Sequence, residues 1–241
     1  MFIGPSWAVF RTCTESGLSH GKCLTKLEPV CQAAKHRVTK VLRLDFSYIE
    51  KLLIGTPRLK AILLLRDPRG ILSSQIHATW FLRHIKKPNT ITLAKDVEVM
   101  CSRMDRDIRT AKVLLSLYPD RVKIVQYEDF DDPVRKLKLL YSFLNMDVGR
   151  LPLNVSNKAN ETNSSSHKSR DLFSYRVKLD WWMVQMVDSH CKNVYRELGL
   201  VKYKNEKHLR NIAKSPIIKL LPYSLETGYS TELNSVNFED R

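Results

Sequence analysis

Arg66 and Ser74 stand eight residues apart in Ala61-Ile62-Leu63-Leu64-Leu65-Arg66-Asp67-Pro68-Arg69-Gly70-Ile71-Leu72-Ser73-Ser74. A guanidinium fork binds phosphate or carboxylate oxygens through paired N–H groups, and a hydroxyl adds a further donor. Arg69 supplies a second cation between them. The setting favours an anion site. Five apolar residues run straight into Arg66, as in a strand buried on both faces. Pro68 suits the first turn of a helix, and Asp67 before it can cap that helix. Arg66 then lies at the carboxyl end of a strand, where open α/β sheets bind ligands. The helix start adds free N–H groups and a positive dipole end. The same residues also describe an ordinary capped turn with Arg66 salt-bridged to a neighbour.

The elements around this turn read as a β-turn-α series. Val38 to Leu44 forms an expected strand, and Asp45 caps a helix to about Leu53. The helix after Pro68 runs to about Ile85. A long amphipathic helix spans about Asp96 to Leu117, with Val97, Met100, Met104, Ile108, Ala111, Leu115 and Tyr118 on one face. Its charges, Arg103 to Arg109, are expected on a solvated face. Val122 to Val125 is a third strand, leading into Glu128 and Asp129, which suit a salt bridge or a cap. A helix follows Pro133, and a last long one spans about Tyr175 to Leu198, with Trp181 and Trp182 expected in the core. Such a series predicts an α/β fold with a parallel sheet and flanking helices.

Charge narrows the partners. Lys and Arg total 40 against 25 acids, a net charge of +15. This predicts an anionic partner: nucleic acid, an anionic membrane, an acidic glycan or a phosphorylated cofactor. An RNA-recognition signature, a zinc finger and an arginine-glycine tract are all missing, which disfavours nucleic acid. No apolar run approaches a membrane span, and the N-terminus makes a poor signal peptide. The five cysteines include no CxxC pair, which disfavours a zinc site. Thr14 to Lys22 fails as a phosphate loop, because three residues separate its glycines where four are needed. Asn154, Asn160 and Asn163 begin glycosylation sequons within a long polar loop, where Lys168 and Arg170 also lie.

The segment Leu63 to Ser74 resembles the 3′-phosphate-binding motif of the Golgi carbohydrate sulfotransferases, which modify the 6-hydroxyl of N-acetylglucosamine, galactose or N-acetylgalactosamine. Val41–Leu44, Cys101–Met104, Val125–Phe130, Leu140–Leu144 and Tyr175–Gly199 are similar to further segments of that family, in order. The resemblance implies a P-loop-NTPase-like sulfotransferase fold, with Arg66, Ser74 and more weakly Arg69 binding the 3′-phosphate of 3′-phosphoadenylyl sulfate. It implies no metal, a glycan or glycosaminoglycan acceptor, and a Golgi-lumen location. It names no general base. The family's first strand-loop unit, which cradles the 5′-phosphosulfate, finds no match before Arg66. The expectation is therefore an N-terminally truncated enzyme, or else an inactive form that binds glycan or nucleotide. The expected layout is an irregular segment over 1–37, a sulfotransferase domain over 38–203 and a polar tail over 204–241.

Overall fold

In a computed structural model of the chain, residues 5–42, 44–76, 90–147, 172–218, 223–225 and 228–229 are described. They fall into two compact units, Met1–Leu44 and Asp45–Arg241.

The first unit is more regular than its sequence suggests. It holds helices α1 (Pro5–Glu15) and α2 (His20–Ala33). Ser19 caps α2 by accepting the Lys22 N–H. A disulfide between Cys13 and Cys23 joins the two helices and is buried. The expected strand at 38–44 does not form, and Val38, Val41 and Leu42 are exposed. A strand in that basic stretch gains stability only from burial and pairing, and neither is present among the described residues.

The second unit opens on a 3-10 turn (Phe46–Tyr48), which Asp45 caps at Ser47 N–H, followed by α3 (Ile49–Gly55). Then come β1 (Ala61–Leu65), α4 (Pro68–Ile76), α5 (Thr90–Leu117) and β2 (Val122–Gln126). A 3-10 turn (Tyr127–Asp129) leads to α6 (Pro133–Phe143). The chain continues through α7 (Tyr175–Lys178), α8 (Trp181–His190), α9 (Lys192–Leu198), α10 (Glu206–Arg210), β3 (Tyr223–Ser224) and β4 (Gly228–Tyr229). Strands β1 and β2 pair in parallel, from Ala61 opposite Val122 to Leu65 opposite Gln126. Arg66 and Tyr127 therefore leave the sheet side by side. Parallel neighbours need a crossover, and the stretch from α4 to α5 supplies it.

One core holds these layers together. Helix α5 buries Leu93, Val97, Cys101, Ile108, Ala111 and Leu114 against Ala61, Leu65, Val122 and Ile124 of the strands. Met100, Met104, Leu115 and Tyr118 pack at its margin, as the helical periodicity predicts. The opposite face is not wholly solvated, because Asp107 accepts the Phe46 N–H at 2.8 Å. Leu64 departs from a strand buried on both faces, being 58% exposed.

The expected last helix is three. Leu179 and Asp180 are extended, and Asp180 starts α8. Arg210 donates to the Arg176 and Leu179 carbonyls near that break. Trp182 is exposed at 40%, whereas Trp181 packs on a small cluster with Tyr175, Val184 and Tyr203. Gly199 closes α9 in the left-handed region at φ 63°, which glycine adopts without Cβ strain. The expected polar tail is partly structural: Tyr223 and Leu225 are buried, and Ile217 bridges Leu200. The sequons, Lys168 and Arg170 lie outside the described residues.

A second disulfide, Cys101 to Cys191, ties α5 to the α8–α9 junction, and Cys31 is left as a free thiol. The unreduced chain should therefore titrate with one thiol. Replacing Cys101 and Cys191 with Ala should cost about 3–4 kcal/mol, read as a lower urea midpoint. Titration of three or more thiols in the native chain would contradict the pairing.

Candidate functional site

The carboxyl ends of β1 and β2 build the site. Because the strands run parallel and in register, Arg66 comes to rest on the ring of Tyr127, with 4.6 Å from guanidinium carbon to ring centroid. A cation over an aromatic face is held by the ring's quadrupole. Arg66 is half-buried. Its Nε is buried and has no hydrogen-bond partner among the described residues. Gly70 makes room for it: a Cβ there would stand 3.0 Å from that Nε. Ser74 is exposed on α4, two turns on, so one strand–turn–helix unit carries both expected ligands.

Asp67 does cap α4, and it does more. One carboxylate oxygen accepts the Arg69 N–H at 2.9 Å. The same carboxylate takes Arg69 Nε at 2.9 Å and Nη2 at 2.8 Å. This places Arg69 elsewhere than expected. It is not a surface cation, since the side chain is fully buried. Its Nη1 donates to the Val201 carbonyl at 2.9 Å and lies 3.9 Å from Asp188. The rings of Tyr175, Tyr195 and Tyr203 surround the guanidinium at 5.0, 4.7 and 4.7 Å. Burial opposes its charge, but the Asp67 carboxylate, helped by Tyr195 and Tyr175, raises its pKa well above the ordinary value. Burial pushes the Tyr175 and Tyr195 hydroxyls well up. The helix start is thus partly spent internally, since Asp67 takes the Arg69 N–H that an outside anion would use.

Glu128 completes the turn from the neighbouring strand. It is buried, and its Oε1 accepts the Asp67 N–H at 2.9 Å. Its Oε2 is buried without a hydrogen-bond partner among the described residues. Burial raises its pKa from 4.5 to about 7, the Asp67 charge adds to the rise, and Arg66 opposes it. Asp129 has the structural role expected of it. It pairs with buried Lys136 at 2.8 Å and accepts the Leu225 N–H at 2.7 Å. Among the described residues no cluster of His, Cys, Asp and Glu could hold a metal ion.

Two features were missed in the sequence. The tyrosine cage around Arg69 comes from positions 175, 195 and 203, which carry no local signal. Tyr127 could have been found, since a strand pairing in parallel with β1 must put its next residue beside Arg66.

A parallel α/β sheet with an Arg at one strand end, a Tyr at the next and a hydroxyl on the following helix sets a cation at the strand ends, where open α/β sheets bind their ligands. The chain belongs to the sulfotransferase family: residues 44–168, just over half of it, match the Sulfotransferase domain. It is similar to carbohydrate sulfotransferase 1 of Danio rerio, 27% identical over 232 residues, covering 84% of this chain and 55% of that protein. The Homo sapiens carbohydrate sulfotransferase 1 is 25% identical over 210 residues, with 78% of this chain and 50% of that protein covered. Human carbohydrate sulfotransferase 2 is 20% identical over 242 residues, with coverages of 81% and 45%. The chain spans about half the length of these curated relatives. No solved structure matches it.

Two outcomes test the geometry. Arg69→Met strands the Asp67 carboxylate without its partner and should cost about 3–5 kcal/mol of stability, measured by urea unfolding; a loss below 1 kcal/mol would contradict the buried pair. Glu128 holds its proton more tightly folded than unfolded. Its contribution to stability is therefore full below pH 4.5 and is lost as pH rises through about 7. The loss amounts to about 3 kcal/mol, at 1.36 kcal/mol per unit. Glu128→Gln should flatten that part of the stability–pH curve.

Proposed function

We propose that this chain carries the 3′-phosphate-binding half of a carbohydrate sulfotransferase, which moves a sulfuryl group from 3′-phosphoadenylyl sulfate to a sugar hydroxyl. The observation that carries the reading is the Arg66 Nε, buried without a partner among the described residues, in a side chain held on Tyr127, with exposed Ser74 two turns along α4. A buried donor without a partner costs about 1–3 kcal/mol. An anion at the strand ends relieves that cost.

In this reading Arg66 and Ser74 hold the 3′-phosphate and set the position of the nucleotide. Tyr127 fixes the plane of the Arg66 guanidinium. Arg69 acts only through Asp67, keeping the turn rigid, and leaves the set of phosphate ligands. The co-substrate supplies an activated sulfuryl group, transferred in line, and such chemistry depends on positioning and charge stabilisation. The general base stays unassigned, because Glu128 is buried against Asp67 and Asp129 against Lys136. The acceptor class is a glycan or glycosaminoglycan, with the 6-hydroxyl of N-acetylglucosamine, galactose or N-acetylgalactosamine as its target. The excess of 40 basic over 25 acidic residues suits an acidic chain of this kind. The relatives' names support a carbohydrate acceptor without naming the sugar, and residues 61–74 support the 3′-phosphate. Two disulfides suit an oxidising lumen such as the Golgi.

Calorimetric titration with adenosine 3′,5′-bisphosphate tests the site. Arg66→Ala should weaken binding by about 30- to 100-fold, the worth of its charged hydrogen bonds. Ser74→Ala should weaken it less, and neither should shift the unfolding midpoint by much, since Arg66 is half-buried and Ser74 exposed. Unchanged affinity in Arg66→Ala would remove the assignment. Transfer of labelled sulfate to desulfated keratan or chondroitin oligosaccharides tests the reaction itself.

A further inference from the structure

A second concavity lies away from the strand ends, between α8 and the segment after Leu200. Its volume is about 390 Å³, and Trp181, Gln185, Asp188, Lys192, Lys202 and Lys204 are among the residues lining it. That volume falls within the ~300–1,000 Å³ usual for small-molecule sites. The three lysines are exposed. Among the described residues no ion pair holds Lys192, Lys202 or Lys204, and Lys202 lies close enough to Asp188 to act on its charge. A lysine-rich surface alone would be ordinary. Here the lysines stand over a built floor. Asp188 is buried, accepts the Tyr195 hydroxyl at 2.6 Å and lies 3.9 Å from Arg69. Tyr203 lines the same space and donates or accepts at Tyr175 Oη, 3.0 Å away. Trp181 is half-buried against Val184 and Tyr203, so its ring is held in place.

These parts match one ligand chemistry. An indole face packs on the C–H face of a pyranose ring. The Asp188 carboxylate and the Gln185 amide can bond sugar hydroxyls. Ammonium groups bind sulfate or carboxylate oxygens as point charges that need no fixed fork. With Asp188 already shared by Arg69, the lysines leave the pocket positive.

We propose that this pocket is an acceptor subsite that holds an acidic sugar unit, a hexose bearing a sulfate ester or a carboxylate. The proposal rests on the glycan sulfotransferase reading and adds to it where the acceptor chain is gripped. A buried path links the two sites: Asp188 faces Arg69, Arg69 grips Asp67, and the Asp67 N–H bonds Glu128 beside Arg66.

The test titrates the full chain with a 6-O-sulfated N-acetyllactosamine tetrasaccharide and its neutral counterpart, following tryptophan fluorescence, with adenosine 3′,5′-bisphosphate titrated separately. The sulfated form should bind at least about tenfold more tightly than the neutral one. Lys202→Ala/Lys204→Ala should weaken it by about tenfold or more and leave nucleotide affinity unchanged. Lys207→Ala, a control for an exposed lysine outside the lining, should change it less than about twofold. Equal weakening by the control, equal binding of the neutral sugar, or no sugar binding would overturn the pocket. So would displacement of the tetrasaccharide by an equal concentration of single-stranded oligonucleotide. Loss of nucleotide binding in the unmodified chain would instead strike the 3′-phosphate reading, so the two failures are distinguishable.

Discussion

The bidentate pair of Asp67 and Arg69 is the interaction on which the strand-end site depends. Both side chains are fully buried. Taking two such charges out of water is costly, and only good geometry with further hydrogen bonds offsets it. The structure supplies both: two guanidinium nitrogens on one carboxylate, the Val201 carbonyl on the third, and three tyrosine rings around the cation. Asp67 thereby starts α4 at a fixed place, and its own N–H is fixed by Glu128 from the next strand. Arg66 is the residue immediately before this lock. Its backbone is set on both sides, by the register of β1 with β2 and by the cap of α4.

The electrostatic consequence is a division of labour between two neighbouring arginines. Arg69 is neutralised inside the protein and serves the fold. Arg66 meets a ring where Arg69 meets a carboxylate, which in the proposed reading keeps its charge for an anion. Glu128 is the nearest acid that could take that charge away, but burial holds its proton up to about 7. Near neutrality it is about half protonated, and its hold on Arg66 weakens as the pH falls below that value. The burial of Glu128 thus weakens the acid beside Arg66 at and below neutral pH.

Much of this was legible in residues 61–74. A short apolar run, an Asp-Pro step and helical spacing behind it gave the strand, the cap and the helix, because all three are local. The amphipathic face of α5 was legible for the same reason. What could not be read was tertiary. Arg69 looks like any basic residue in a first helical turn, and only the return of the chain through 175–203 buries it. The N-terminal helices are joined by a disulfide between residues ten apart, a pairing that five cysteines do not announce in the sequence. The break of the last helix at Leu179–Asp180 depends on Arg210, thirty-one residues on. Tyr223 and Leu225 looked like tail because their bonding partners, Gln126 and Asp129, lie almost a hundred residues back.

The central claim is that Arg66 reads the 3′-phosphate and not the nucleotide as a whole. The direct measurement is a cycle of four affinities: the natural chain and Arg66→Ala, each titrated with adenosine 3′,5′-bisphosphate and with adenosine 5′-monophosphate. The account predicts that removing the 3′-phosphate weakens binding to the natural chain by about tenfold or more and scarcely matters in the variant, a coupling of at least about 1.4 kcal/mol. Equal losses in both proteins would show that Arg66 does not touch that phosphate and would contradict the account.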